Sequence, residues 1–242
     1  MSLNTKKEKK EMVAVIIIVL VAFGALWLKQ NMEINRACKG LSDDQKKVVR
    51  SLFGGILVFG KMNDEQYDQL VAAKIEKLNL RQKALDKIGL DESQVSEIQP
   101  VNFQGFDLSD EVKKAPTYKI YTGKDNKLRS TQYESVWLFF SDTQVYMYKY
   151  HFDMCSDNKK ENTEEYFYKD ITNFSTQSET VEAYAYKQGC SGQKEDKKFT
   201  RDYGRFGLIV PGDKFFCSTT NTPNVDESIS AMKQKLREKK NA

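Results

Sequence analysis

One histidine and four cysteines are the stock from which metal or nucleophilic chemistry would have to be built. The cysteines stand at 38, 155, 190 and 217, and none has the two-residue spacing of a zinc or dithiol motif. His151 has Asp153 two residues on, which suits a hydrogen-bonded structural histidine better than a base or a ligand. No nucleophile–base–acid set can be assembled from these residues, so the sequence reads as non-enzymatic, with no cofactor and no metal. Cys155, at a strand end, and Cys190, in "KQGCSG", can form a disulfide in an oxidising compartment, and two free buried thiols account for them equally well. Cys217 sits among aromatics, where a small buried thiol is ordinary.

The whole composition agrees with a binding or scaffolding role. The chain has 242 residues, 30% of them charged and 12% aromatic, enough for a real core and too apolar for disorder. A net charge of +4 is too mild for a nucleic-acid binder. Fourteen phenylalanines and twelve tyrosines against four prolines favour a sheet with interior strands.

The segment "MVAVIIIVLVAFGALWL", residues 12–28, is uncharged throughout and follows "KKEKKE". As a helix it covers roughly 25 Å, the short end of what crosses a bilayer. Lys29, Gln30, Asn31 and Met32 follow it, so no small-residue cleavage pattern is present, and Asn35 and Arg36 spoil a lipid-attachment site at Cys38. It reads as a retained, single-pass signal anchor. Lys6, Lys7, Lys9 and Lys10 form a denser cluster than Lys29, Arg36, Lys39, Lys46, Lys47 and Arg50 on the other flank, which favours a cytoplasmic N-terminus and a domain outside.

"SDDQ" (42–45), "NDEQ" (63–66) and "DESQ" (91–94) each place a capping residue three before glutamine, and predict helices from about 43, 64 and 92. Tyr67, Val71, Ile75 and Leu78 share one stripe, and Gly89 stops the following turns. The run "SLFGGILVFG" (51–60) is too short to span a membrane and reads as core packing. From about Tyr118 the period becomes two. "YKIYT", "QYESVWLFF" and "VYMYKYHFDM" read as strands, the last two joined by a tight turn at "SDTQ". Tyr146, Tyr148, Tyr150 and Phe152 fall on one face, with Val145, Met147, Lys149 and His151 on the other, His151 and Lys149 marking it as polar. "EEYFYKDI", "TVEAYAYK" and "KKFTRDY" are further strands, and "RFGLIVPGDKFFCST" is a hairpin around Pro211 and Gly212. Val225, Ile229, Met232 and Leu236 then mark an amphipathic helix capped by Asn224, its basic "KQKLREKK" end suiting the helix dipole.

The expected organisation is a basic tail (1–11), a transmembrane helix (12–28), a helical neck or linker (29–116, its helices within about 42–99) and a β domain closed by a C-terminal helix (117–242). The fold class is α+β. About seven antiparallel strands and one closing helix, carried by "EEYFYKDITNFSTQSETV", "RFGLIVPGDKFFCST" and the helix of Ile229, Met232 and Leu236, resemble the pleckstrin-homology-like fold of bacterial membrane-associated proteins. The resemblance implies a platform for a protein or peptide partner, docked along a sheet edge beside the C-terminal helix. As the alternative it implies lipid-headgroup binding, since Lys119, Lys127 and Arg129 match the spacing of the family's basic residues.

Overall fold

The apolar run forms the middle of a long helix, α1 (Ser2–Ala37). In the computed structural model, which describes all residues except 1, 55–57, 59, 96–98, 189–193, 223 and 242, it belongs to the first of two units, Met1–Asn63 and Asp64–Ala242. Among the described residues Lys10–Ala37 is the one helix long and apolar enough to cross a membrane, and its apolar side chains are exposed. Beyond Gly40, at φ +82°, Ser42 and Gln45 exchange the two hydrogen bonds of a capping box and start α2 (Asp43–Phe53). Arg50 of α2 donates to Asn35 of α1 at 2.9 Å. Val48 and Val49 are buried, whereas Phe53 is 40% exposed, so the core packing expected for residues 51–60 does not extend to Phe53.

The second unit opens with α3 (Asp64–Leu78) and α4 (Leu80–Ile88), parted by Asn79 at φ +43° and stopped by Gly89 at φ +77°. The helix expected from 92 is a single 3-10 turn, Glu92–Val95. The Asp91 N–H does bond the Gln94 side chain, as the capping pattern requires. Instead of more neck, β1 (Val101–Phe106) follows, then α5 (Asp110–Lys113), β2 (Ile120–Thr122), β3 (Leu128–Ser130), β4 (Gln132–Phe140), β5 (Gln144–Asp153) and β6 (Lys159–Phe167). After a 3-10 turn at Tyr168–Asp170 come β7 (Asn173–Gln188), β8 (Lys194–Val210), β9 (Asp213–Ser218) and α6 (Val225–Asn241). The described residues thus hold nine strands, eight of them within residues 117–242, where about seven are expected.

The chain is α+β with three antiparallel sheets, ordered β1-β4-β5-β6, β2-β3 and β7-β8-β9. The β4–β5 hairpin turns where its sequence predicts, with Phe140 opposite Val145. Gly212, at φ +85°, supplies the left-handed residue of the expected turn between β8 and β9. Asn224 precedes α6 with φ +49°, not in the extended conformation of a side-chain cap.

Both faces of β4 and β5 are covered. Val136, Leu138, Phe140, Val145 and Met147 join Phe206, Leu208, Phe215 and Cys217 of the three-stranded sheet and Ile229, Met232 and Leu236 of α6 in one core. Phe103 of β1 stacks on Phe206 with ring centroids 4.9 Å apart. On the other face the aromatic row meets α3 and α4. Tyr67 donates to the Ser130 carbonyl at 2.5 Å, Lys74 to that of Asp153 at 2.6 Å, and Lys83 lies over the Tyr150 ring. The helices from Asp64 onward, assigned to a neck ending at 116, are therefore part of the β unit, because they bury its aromatic face.

Candidate functional site

The three basic residues matched to headgroup binding do not form an open cradle. Arg129 is the decisive one. Its side chain is 3% exposed, and it reaches both Asp68 carboxylate oxygens at 2.7 Å and both Asp125 oxygens at 2.8 Å. Two aspartates saturate the guanidinium fork, and their hydrogen bonds push the Arg129 pKa up and the Asp125 carboxyl down. Arg129 fastens α3 to the β2–β3 hairpin. Lys119 holds Thr131 through its backbone, and the Lys127 N–H bonds Asp125 in the turn before β3.

Of the two cysteines proposed to pair, Cys155 is a free thiol 2% exposed, and Cys190 lies outside the described residues. Burial pushes the thiols of Cys155 and Cys217 up, so neither is a ready nucleophile.

His151 and Lys149 do not lie on a solvent-facing polar stripe. They stand on the core-facing side of β5 where that side leaves the apolar core and becomes the floor of a cleft of about 530 Å³. Its walls come from α5, β6 and the start of β9. Glu134, opposite His151 in the β4–β5 register, reaches diagonally to Lys149 at 2.5 Å and accepts the Ser218 N–H at 2.5 Å. Glu134 is 4% exposed, and burial raises its pKa. Burial disfavours the Lys149 ammonium, but the Glu134 charge outweighs that and raises its pKa. The His151 Nδ1 lies 2.9 Å from Asp107 Oδ2, and Nε2 lies 3.1 Å from Gln132 Oε1. Gln132 donates onward to Thr117, whose hydroxyl donates to Asp153 at 2.6 Å.

A second concavity, about 250 Å³, lies where β7 begins, beside α6. Ile171, Phe174 and Leu236 form its apolar part, and Lys233 and Arg237 border it. β7 is the outer strand of its sheet, and neither cation has an ion-pair partner among the described residues.

No protein-family model, curated protein or solved structure significantly matches the chain. What either concavity does must be read from its own chemistry.

The cleft's partners escape a sequence reading because they come from distant strands. His151 takes Asp107, before α5, rather than the neighbouring Asp153. A usable signal exists: Glu134 and Lys149 extend two rows that are otherwise apolar, Val136–Leu138–Phe140 and Val145–Met147. Charges that continue a core stripe imply a mutual partner.

Asp107 gives the cleft a pH signature. Burial works against its carboxylate, yet the His151 ring and the Ser109 hydrogen bonds outweigh it and hold the pKa down to about 2, from 3.8. Because the folded value is the lower one, the stabilisation is fully present above pH 4 and is lost as pH falls toward 2. Asp107→Asn is expected to cost about 2 kcal/mol at neutral pH, with the gap to wild type closing between pH 4 and 2 in urea unfolding. A gap that stays constant down to pH 2 contradicts this assignment.

Proposed function

We propose that the chain is a single-pass, membrane-anchored binding protein whose second unit has a pleckstrin-homology-like fold and engages a protein or peptide partner. The fold reading is supported by strand order. With β2–β3 taken as an insertion after β1, the remaining strands fall as four antiparallel, three antiparallel, then a helix whose Ile229, Met232 and Leu236 enter the core. The anchor reading is supported by the exposed apolar length of α1, with the lysine-rich tail in the cytoplasm and the second unit outside.

The observation that carries the binding role is the groove beside α6. An outer strand supplies backbone groups for an added strand, Phe174 and Leu236 supply an apolar seat, and Lys233 and Arg237 supply unpaired positive charge. An extended, acidic segment with apolar anchors fits it. Peptides selected by display on the purified full chain should carry that pattern. Lys233→Glu with Arg237→Glu should weaken them at least tenfold without lowering the melting temperature. Equal affinity for the variant removes the groove as the docking site.

The anchor has its own test. The full chain should stay in the membrane pellet through alkaline carbonate extraction, and deletion of residues 1–28 should release a folded protein that needs no detergent. Extraction of the full chain by carbonate rejects the anchor.

A further inference from the structure

The cleft floored by Lys149 and His151 is not used by the docking groove, and its charge pattern is specific. Its lining holds five carboxylates, four ammonium groups and one imidazole. That balance disfavours a polyanion, since every added negative charge meets fixed carboxylates within a partly desolvated space. It suits a ligand that carries one charge of each sign.

The charges are also sorted by what they already hold. Asp107 accepts the Ser109 N–H and has the His151 ring 2.9 Å away, and Asp153 accepts from Thr117, Ser156 and the Cys155 N–H. Lys160 is paired with Glu111 on the wall. Two carboxylates have no cation among the described residues: Glu164 on β6, which accepts the Tyr166 hydroxyl, and Asp213 at the start of β9, which accepts only the Lys214 N–H. They come from different strands and both line the cleft. On the cationic side, Lys149 spends one N–H on Glu134 and one on the Phe216 carbonyl, which leaves a third. Lys214 is exposed on the rim, with no side-chain partner among the described residues.

We propose that this cleft binds a small zwitterion, a free amino acid or a dipeptide. Its ammonium lies between Glu164 and Asp213, and its carboxylate accepts from Lys149 and Lys214. Both Phe215 and Phe216 of β9 line the cleft, and the Phe215 ring, 5.9 Å from the Lys149 ammonium, gives it an apolar side for the ligand's apolar part. A cleft of about 530 Å³ is within the usual range for small-molecule sites.

Titration calorimetry on the full chain in detergent micelles tests this with a panel of amino acids and dipeptides. The same dipeptides with an acetylated N-terminus or an amidated C-terminus, and inositol phosphate and inorganic phosphate, complete the panel. At least one free zwitterion is expected to bind saturably, and capping either end should weaken it about tenfold or more. Asp213→Asn with Lys214→Gln changes two exposed residues only, and should cost a similar factor at an unchanged melting temperature. Absence of binding by every zwitterion, equal binding of capped forms, a preference for phosphates, or full binding by the double variant each overturns the proposal. None of these results bears on the groove beside α6, whose variants lie on a different element.

Discussion

Replacing Lys149 with alanine is expected to destabilise the second unit by about 3–5 kcal/mol, because Glu134 is then left buried without its counter-charge. The ion pair itself need not be a net source of stability. Its Coulombic gain is largely offset by the cost of bringing two charges out of water. The asymmetry appears only when one partner is removed. Glu134→Gln combined with Lys149→Met should therefore recover most of the loss, since neither remaining group carries a charge and the glutamine oxygen can still accept the Ser218 N–H. The single variant should also respond to acid. With Lys149 gone, the folded-state pKa of Glu134 rises further above its unfolded value, so the deficit is largest at neutral pH and shrinks as pH falls toward the ordinary carboxylate range. Urea unfolding at several pH values measures all three quantities. A single-variant cost below about 1 kcal/mol would mean that water reaches Glu134 and that the cleft floor is not the desolvated surface described above.

Phe206→Ala should have a comparable effect, about 3–5 kcal/mol, for a wholly different reason. The ring is fully buried, stacked on Phe103 at 4.9 Å and near Phe174 at 6.5 Å, and it links β1 of the larger sheet to β7 and β8 of the smaller one. Its removal leaves a cavity that neighbours on three strands cannot close together. Phe167→Ala, 47% exposed on the outer strand β6, should stay within about 0.5 kcal/mol of wild type. Equal costs at the two positions would show that the two sheets do not share one core.

The elements legible in the sequence are those whose signals are local. The β4–β5 hairpin is readable because two long alternating runs flank a four-residue polar turn. Ser42 with Gln45, and Gly89, announce themselves as caps. The end of α6 and its apolar positions follow the helical period. What stayed hidden depends on distant partners. Strand β1 is six residues long, with two polar residues and a glycine among them, and only its pairing with β4 makes it a strand. The aromatic face of β5 is readable as one face of a strand, but its cover, α3 and α4, lies well before it in the chain and leaves no signal beside it. Arg129 looks like a binding residue because its spacing reveals neither Asp68, on another element, nor its own depth. The polar cleft leaves no local signature in the sequence, because its charges are contributed by β5, β6, β9 and the segment before α5 together.

Among the described residues, the second unit has two buried thiols in different layers, and this makes them reporters of how it comes apart. Cys155 is close enough to Tyr67 and Lys74 of α3 to influence their titration, whereas Cys217 is enclosed in the core shared by the two sheets and α6. A thiol reagent can reach either one only during an opening excursion. If the helices detach while the sheets remain together, Cys155 is modified much faster than Cys217 under native conditions. If both are modified at one rate, the helical cover and the sheets of the second unit form a single cooperative unit that unfolds as one body.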